Sequence, residues 1–357
     1  MKDITTLLTS CNGLTSPGII DCMKEVEERK INIIGVDINK LGAGSRMVDK
    51  FFEVPTAESS DYVGEIYSIC KENKVDVIVP ASDEESLILS KEKDRFLIIG
   101  VKISTNDYEV AIQSTDKGNF LNFIKEKELP CAKYKLPKNM DEFEECCYNL
   151  GYPEDPVVIK PRIGRGNRGM RIIQKSLNKG ELLLYHKPGT PYTTLEDIKE
   201  ALTSKELESF PDVVLMEYLP GEEYSVDVLV KDGTPLIVVP KKRLMPVPGL
   251  SLIGQVDLNE EVIEAVTEIC NVFNFNYNVN IQFRFSKDNK LYPYEVNTRV
   301  AASIAACKEA GANLFYYGIK LALDEELPEV NIIDGMKMIR YYKEYYEYES
   351  NNKSNSF

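Results

Sequence analysis

Residues 279–299 read VNIQFRFSKDNKLYPYEVNTR and contain two short runs in which apolar and polar side chains alternate. Alternation with a period of two is typical of β-strands that bury one face, and the polar KDN segment between the runs favours a tight connection. The pattern therefore predicts a β-hairpin. Gln282 and Glu295 would lie on its neighbouring strands. Asn297 and Arg299 would share the face of Glu295 if the strand continues that far.

The polar side chains of this hairpin suit a divalent cation together with a phosphate group. Glu295, Gln282 and Asn297 supply carboxylate and amide oxygens, which are the hard ligands that Mg²⁺ prefers. Arg299 adds a planar cation that pairs well with phosphate oxygens. From the spacing alone, a solvated strand end with one exposed ion pair is an equally good interpretation.

A glycine-rich segment, residues 160–169, reads KPRIGRGNRG and follows an apolar run that predicts a strand. Glycines such as Gly166 let backbone N–H groups approach a phosphate, and Lys160 supplies a point charge. The Walker pattern of phosphate-binding loops is absent. A basic hairpin that binds nucleic acid is the alternative, but the net charge of −14 and the lack of interleaved aromatic residues oppose it.

A third segment, residues 216–224, reads MEYLPGEEY and combines an apolar strand with an acidic turn. The backbone of such a connection offers a donor and an acceptor to the edge of an adenine ring, and a carboxylate can accept from ribose hydroxyls. Acidic turns are usually just solvated, so this segment alone is a weak signal.

Together the three segments resemble the ATP-grasp superfamily, most closely its carbamoyl-phosphate-synthetase-like branch. Residues 160–169 resemble the flexible glycine-rich lid, and 217–219 resemble the adenine-binding linker. Gln282 with residues 295–299 resembles the metal and phosphate site, and 115–117 resembles the segment that opens the grasp region. The resemblance covers most of residues 1–345 and is specific because the four motifs occur in the right order.

The resemblance implies a set of residues that bind the nucleotide. Lys117 and Lys160 would contact the ATP phosphates, residues 217–219 would hold adenine, and Glu223 would bind the ribose. Lys242 and Arg243 lie where related enzymes often place cations over the γ-phosphate or the substrate, although an exposed basic strand end is the alternative. In chain order the implied nucleotide-binding residues are Lys117, Lys160, Gly166, Glu217, Tyr218, Leu219, Glu223, Arg243, Gln282 and Glu295.

The resemblance also implies a metal site and a catalytic pair. Gln282, Glu295 and Asn297 would bind Mg²⁺, with Mn²⁺ as an alternative metal. Arg299 and Lys160 would act in catalysis, and Arg299 would stabilise the transferring phosphoryl group and the acylphosphate.

The activity that the resemblance implies is ATP-dependent ligation of a carboxylate to an amine, with an acylphosphate intermediate and release of ADP and phosphate. Two alternatives stay open: an enzyme that phosphorylates a carbamate or carboxylate as its end product, and a nucleotide-binding regulator without catalysis. A dinucleotide-dependent oxidoreductase is disfavoured because Gly13 and Gly18 do not form the Gly-x-Gly-x-x-Gly pattern. The loops at 12–13, 82–84 and 301–303 are expected to border the acceptor pocket.

The order of predicted elements indicates an α/β chain of three modules with the ATP-grasp fold. Strands and helices alternate in residues 1–112, which predicts a doubly wound parallel sheet, and Phe96-Leu97-Ile98-Ile99 is predicted to be one of its strands. Residues 113–216 would form a small α+β lid with the glycine-rich loop. Residues 217–348 would form a C-terminal α+β domain with an antiparallel sheet, and residues 349–357 a disordered tail.

Composition argues against several other classes of protein. The net charge of −14 repels nucleic acid and anionic membranes, and no stretch approaches the roughly 20 apolar residues of a membrane span, so a cytoplasmic protein is expected. The chain has one histidine, His186, and eight cysteines without a Cys-x-x-Cys pair, which disfavours a hydrolase triad, a zinc site and a disulfide framework. The expected partners are small carboxylates and amines, and a homodimer is left open.

Overall fold

The structure is a computed structural model that describes residues 1–164, 166–185, 189–204, 207–247 and 249–346. The predicted tail at 349–357 and His186 lie outside the described residues. In the described part of the chain, every helix is too short or too polar to cross a membrane.

The N-terminal sheet has five parallel strands in the order β3-β2-β1-β4-β5. The inner strands β1, β2 and β4 are short, mostly buried runs with helices between them, which is the arrangement expected of a doubly wound sheet. The elements of this part are β1 (Ile4–Leu8), α1 (Ser16–Lys24), β2 (Ile31–Asp37), α2 (Gly44–Met47), β3 (Lys50–Glu53), α3 (Tyr62–Asn73), β4 (Val77–Val79), α4 (Asp83–Lys91), α5 (Lys93–Leu97), β5 (Lys102–Ile103) and α6 (Tyr108–Thr115).

The prediction of a strand at residues 96–99 was wrong. Phe96 and Leu97 end helix α5, and the strand at this edge of the sheet is β5. Phe96 is fully buried, whereas Leu97 and Ile98 are 53% and 83% exposed. One buried residue in the last helical turn can therefore produce the same apolar run as a strand. Gly100, with a φ of 78°, then turns the chain into β5.

A second sheet of five strands has the order β6-β10-β7-β8-β9 and carries the glycine-rich segment between β7 and β8. Strand β7 pairs antiparallel with both β10 and β8, so this part has the mixed α+β character that the sequence predicts. Its elements are α7 (Lys117–Glu126), β6 (Tyr134–Lys135), α8 (Met140–Asn149), β7 (Val157–Pro161), β8 (Arg171–Ile173), α9 (Lys179–Tyr185), β9 (Tyr192–Thr193), α10 (Leu195–Leu202) and β10 (Val213–Glu217).

The C-terminal sheet has six strands in the order β15-β14-β11-β12-β13-β16, and all neighbours are antiparallel. The predicted hairpin over residues 279–297 is the pair β14 and β15. The elements are β11 (Glu223–Lys231), β12 (Thr234–Val247), β13 (Leu250–Val256), α11 (Glu260–Phe273), β14 (Tyr277–Phe285), β15 (Leu291–Asn297), α12 (Ala305–Glu309), α13 (Leu314–Ala322) and β16 (Lys337–Ile339).

Two apolar cores join these sheets. Helix α11 buries Val262, Val266 and Ile269 in a core that also contains Phe120 of α7 and Ile281 of β14. A second core joins strands β1 and β4 and helix α1 of the N-terminal sheet to helices α12 and α13. The predicted parallel N-terminal sheet and antiparallel C-terminal sheet are both confirmed. The domain boundaries at 112/113, 216/217 and 348/349 stay predictions.

Replacement of Ile269 by alanine tests the importance of the α11 core. Ile269 is 2% exposed, so Ile269→Ala should lower the free energy of unfolding by roughly 2–5 kcal/mol, since it removes buried methyl groups and leaves a cavity. Urea denaturation followed by circular dichroism measures this change. Ile339→Ala is the matched control because Ile339 is 68% exposed, and equal losses in the two variants would contradict the assignment.

Candidate active site

Glu295 occupies the centre of a cluster of polar side chains at the end of hairpin β14–β15. It pairs in register with Gln282 on the neighbouring strand, and Asn297 follows on β15. Glu295 lines three small cavities, of which the two larger measure about 80 Å³ and 60 Å³. Gln282 and Asn297 border the larger of these with it. The structure thus brings together the three residues that were predicted to bind a metal.

A β-bulge adds Tyr294 to this cluster. Gln282 opposes Glu295 and Phe283 opposes Pro293, so Tyr294 is an extra residue without a partner across the ladder. Its hydroxyl oxygen lies 2.7 Å from Oε1 of Gln282 and 2.7 Å from Oε1 of Glu223, so it can donate to either. Sequence reasoning missed Tyr294, because strict alternation places it on the face opposite Glu295 and a bulge leaves no signal in the pattern.

Lys160 ends strand β7 and reaches the cluster from the second sheet. Its Nζ lies 4.4 Å from the centroid of the Tyr294 ring, a cation–π contact, and the residue is 9% exposed. Burial lowers the pKa of Lys160 to about 8; the positive charge of Lys117 acts in the same direction, and Glu295 opposes both. The surrounding protein groups therefore compensate the buried positive charge of Lys160 only in part.

The glycine-rich segment is tied to the segment that precedes helix α7. Lys117 donates from Nζ to the carbonyl of Gly164 over 2.9 Å, and Arg162 pairs with Asp116 at 2.9 Å. Gly166 has a φ of 63° and lines the 80 Å³ cavity together with Glu295. The predicted phosphate-binding residues Lys117, Lys160 and Gly166 therefore surround one carboxylate.

Arg299 lies just beyond the end of β15 and joins the cluster to the N-terminal sheet. Its Nη2 donates to Oδ1 of Asn297 over 3.0 Å and to Oδ2 of Asp83 over 3.2 Å. Its Nε lies 3.2 Å from the other oxygen of Asp83. Asp83 is the first residue of α4, and the sequence indicated only that its loop borders a pocket. Its pairing with Arg299 is a contact between distant segments that no local pattern could reveal.

Glu223 and Arg243 form a buried ion pair beside the cluster. Glu223 is 8% exposed; besides Arg243 it pairs with Arg284 at 3.3 Å and accepts from Tyr294. Arg243 also donates to Oγ of Ser251 over 2.7 Å, and it lines the 80 Å³ cavity. Burial raises the pKa of Tyr294 well above its usual value, and the charge of Glu223 adds to this effect. Arg243 is thus not the exposed strand end that was the alternative interpretation.

The predicted adenine-binding linker begins at Glu217, the last residue of strand β10. Glu217 accepts from the backbone N–H of Lys133 over 2.7 Å and donates its own backbone N–H to the carbonyl of Lys133 over 3.0 Å. Tyr218 is partly buried, and Leu219 packs into the core that contains α11. The structure places this linker between β10 and β11, and its contact with adenine stays a prediction.

The donor set at Glu295 fits a magnesium ion that arrives with a phosphate. The protein supplies one carboxylate and the amide oxygens of Gln282 and Asn297, and Mg²⁺ typically takes one or two carboxylates and completes its shell with waters and substrate phosphates. Elsewhere in the described ranges, no three Asp, Glu, His or Cys side chains converge as a metal site would require.

A larger cavity of about 470 Å³ lies at the carboxyl ends of β1, β2 and β4. Asn12 and Gly13 line it from the loop after β1, Ser82 from the loop after β4, and Ala302 from the C-terminal part of the chain. Each of the three loops that were expected to border an acceptor pocket thus contributes to one cavity. Arg299 lines this cavity as well, so it lies between the cavity and the Glu295 cluster.

Two family models match the chain. Residues 209–344 match "ATP-grasp in the biosynthetic pathway with Ter operon", and residues 7–104 match "PylC-like, N-terminal domain". The arginine-specific carbamoyl phosphate synthase large chain of Halalkalibacterium halodurans is 24% identical over 287 residues, which are 77% of this chain and 25% of that protein. The phosphoribosylamine–glycine ligase of Methanosphaera stadtmanae is 29% identical over 195 residues, which are 54% of this chain and 40% of that protein. The chain spans about a quarter of the length of the carbamoyl phosphate synthase large chains that it matches.

Solved structures share the whole fold. The biotin carboxylase domain of the Hydrogenobacter thermophilus 2-oxoglutarate carboxylase, solved with MgADP, ADP and bicarbonate, has a TM-score of 0.70 at 17% identity and covers 94% of this chain and 73% of that chain. An N5-carboxyaminoimidazole ribonucleotide synthetase solved with ADP has a TM-score of 0.69 at 15% identity and covers 94% and 81%. The three sheets have the ATP-grasp fold of these structures. The family models and relatives confirm the similarity to the ATP-grasp superfamily that the motifs predicted.

Titration of Lys160 tests the burial of its charge. The Lys160 resonance, followed by NMR with ¹³C at the lysine ε-carbon, should titrate near pH 8, whereas the ordinary lysine value is 10.5. Since the unfolded chain then holds a proton that the folded chain has lost, the free energy of unfolding should rise from about pH 8 towards 10.5 and stay level with respect to this group below 8.

Two variants test whether the titration and the change in stability belong to Lys160. Lys160→Met should remove both the resonance and the rise in stability. Lys231→Met, which changes an exposed lysine of β11, should leave both in place. A Lys160 midpoint at the ordinary value of 10.5 would contradict the burial argument.

Proposed function

We propose that this chain is an ADP-forming ligase that uses ATP to join a carboxylate to an amine through an acylphosphate. The observation that carries this proposal is the convergence on Glu295 of cations from the second and the C-terminal parts of the chain. Lys117 and Lys160 approach from the lid side, and Arg299 is held against the N-terminal sheet by Asp83. Several cations around one metal-binding carboxylate suit the transfer of a phosphoryl group, which requires mainly alignment and charge neutralisation.

ATP is the proposed nucleotide, and different residues of this chain would bind its phosphates, its adenine and its ribose. Lys117, Lys160 and the backbone at Gly166 would bind phosphates, and Glu217 with the backbone of 218–219 would hold adenine. Glu223 would bind the ribose. A hydrogen bond from a ribose hydroxyl would then replace one of the two that Glu223 now accepts from Arg243 and Tyr294.

Mg²⁺, with Mn²⁺ as a substitute, is the proposed metal, held by Gln282, Glu295 and Asn297. When bound, such an ion neutralises charge on the phosphates and orients them. In the structure Oε1 of Gln282 lies 2.7 Å from the hydroxyl of Tyr294, and Oδ1 of Asn297 accepts from Arg299. These hydrogen bonds hold both amides in place before any ligand enters, which favours an ordered site.

The proposed reaction has two balanced steps. A carboxylate oxygen of the substrate bonds to the γ-phosphorus of ATP as the bond from that phosphorus to the β-phosphate oxygen breaks, which releases ADP and leaves an acylphosphate. The amine nitrogen then bonds to the acyl carbon, the carbon–oxygen bond to phosphate breaks, and the nitrogen loses a proton to solvent. Arg299 would stabilise the charge of the transferring phosphoryl group, and closure of the glycine-rich loop would exclude water that hydrolyses the intermediate.

Release of ADP tests the reaction type. The full chain with ATP and Mg²⁺ is assayed against panels of small carboxylates with and without amines. A ligase should reach full turnover only when both are present. Full turnover with a carboxylate alone would indicate a phosphorylating synthetase, and no ADP with any pair would indicate a nucleotide-binding regulator; either result contradicts the proposal.

Replacement of Glu295 by glutamine tests the metal site. Glu295→Gln should lower ADP release by about 100-fold or more, because even residues that only orient metal ligands typically contribute roughly 10–100-fold. The fold should survive, since glutamine keeps the shape of the side chain. Glu326→Gln is the matched control, because Glu326 is exposed in the C-terminal region and should show wild-type rates. Equal rates in wild type and Glu295→Gln would show that the metal site is elsewhere.

Trapping with hydroxylamine tests the intermediate. Hydroxylamine in place of the amine should convert the acylphosphate to a hydroxamate, which the ferric chloride colour reaction detects, with one ADP released per hydroxamate. Arg299→Lys should lower the hydroxamate yield and ADP release together, because lysine cannot reproduce the planar pairing of arginine. ADP release without hydroxamate would argue against an acylphosphate.

A further inference from the structure

The 470 Å³ cavity lies at the point of the N-terminal sheet where ligands typically bind. In the order β3-β2-β1-β4-β5, the chain leaves β1 to one side and later returns to the other side with β4. The crevice beyond the carboxyl ends of the strands at such a switch point is the usual ligand site of open α/β sheets. Its volume lies within the range of small-molecule sites, roughly 300–1,000 Å³.

Carboxylates give one side of this cavity a negative charge. Asp37, at the end of β2, lines the cavity and accepts backbone N–H groups from Asn12 over 2.9 Å and from Ile38 over 2.8 Å. Glu85 lies buried beneath the floor. Burial raises the pKa of the Cys11 thiol between them to about 12, and the charges of Asp37 and Glu85 add to this effect. The local field therefore favours a cation.

Glu85 also fixes the two loops that form the floor. Its Oε2 accepts from the hydroxyls of Thr9, Ser10 and Ser82 over 2.6, 2.7 and 2.8 Å. Ser10 follows β1 and Ser82 follows β4, so one buried carboxylate ties both strand ends together. These hydrogen bonds therefore hold the floor of the cavity in one arrangement, as a specific binding site requires.

Positively charged side chains reach the cavity from one direction. Among the described residues that line it, Arg299 is the single cation, and that guanidinium already pairs with Asp83. A phosphorylated substrate carries close to two negative charges and is usually met by several Lys, Arg or free backbone N–H groups. This lining suits one carboxylate at Arg299 and disfavours a phosphate.

We propose, on the basis of the proposed ligase function, that the cavity binds the carboxylate substrate and that this substrate is an unphosphorylated α-amino acid. Its carboxylate lies at Arg299, where it can reach the phosphoryl group, and its ammonium group lies on the side of Asp37. The exposed Ile38 and Leu41 line the same cavity and offer apolar contact to the side chain of the amino acid.

A matched binding series tests this assignment without nucleotide. The full chain is titrated by isothermal calorimetry with the proteinogenic α-amino acids, with the α-hydroxy acids that carry the same side chains, and with O-phosphoserine. At least one amino acid should bind at least about tenfold more tightly than its α-hydroxy counterpart, a difference that corresponds to about 1.4 kcal/mol. O-phosphoserine should bind more weakly than serine.

Two variants test whether Asp37 is the residue that recognises the ammonium group. Asp37→Asn should reduce the preference for the ammonium group to near unity, whereas Asp61→Asn, which removes an exposed carboxylate before α3, should retain it. Asparagine offers one acceptor oxygen for the two backbone N–H groups on Asp37, so the variant's fold is checked by circular dichroism. The comparison of α-amino acids with α-hydroxy acids uses the wild-type protein, so it tests the proposal even if that variant does not fold.

The outcomes separate this proposal from the proposed function. Equal binding of α-hydroxy acids, tighter binding of O-phosphoserine, or tight binding of NADH in the cavity overturns the amino-acid assignment. Amine-dependent ADP release with a carboxylate that lacks an amino group, and that amino acids do not inhibit, also overturns it and leaves the ligase function intact. Binding of amino acids that depends on Asp37, with no ADP release for any substrate pair, supports the assignment and overturns the ligase function.

Discussion

The pairing of β14 with β15 is the interaction on which the candidate site depends. Its register sets Glu295 opposite Gln282, and the bulge at Tyr294 places a third polar group beside them. A shift of one residue in this ladder would turn Glu295 away from the cluster, because successive side chains point to opposite faces of a sheet. The position of Glu295, the proposed metal-binding carboxylate, is therefore fixed by backbone pairing at the edge of the six-stranded sheet.

The second constraint is the cost of holding cations close together. Lys160 is buried near Lys117, and its lowered pKa shows that the protein does not fully compensate its charge. Tyr294 and Glu295 offset part of this cost through a cation–π contact and a Coulomb attraction. An anion with several charges, bound between these lysines, would complete the compensation. Under the proposed function, the site is organised for a polyphosphate before it binds one, which is the condition under which electrostatic stabilisation is strongest.

The sequence predicted those parts of the site that follow local rules. Strand alternation located the hairpin, and the order of four motifs identified the superfamily together with Lys160, Glu295 and Arg299. The bulge at Tyr294 breaks the alternation on which the prediction relied, so that residue was missed. The pair between Asp83 and Arg299 joins segments that are far apart in the sequence and depends on how the sheets pack. The strand predicted at Phe96 was wrong because one buried aromatic in a helical turn resembles a strand.

Arg299 links the Glu295 cluster to the 470 Å³ cavity, because it lines a cavity on each side. It accompanies Asn297 at the Glu295 cluster and also lines the 470 Å³ cavity, while Asp83 of α4 holds its guanidinium. The N-terminal part of the chain therefore supplies both a wall of this cavity and the carboxylate that orients the arginine. Under the proposed function, a change in the loop after β4 would alter both substrate contact and phosphoryl transfer, because the same short segment positions Ser82 for one and Asp83 for the other. The proposed function thus couples substrate choice and catalysis through two adjacent residues and one arginine.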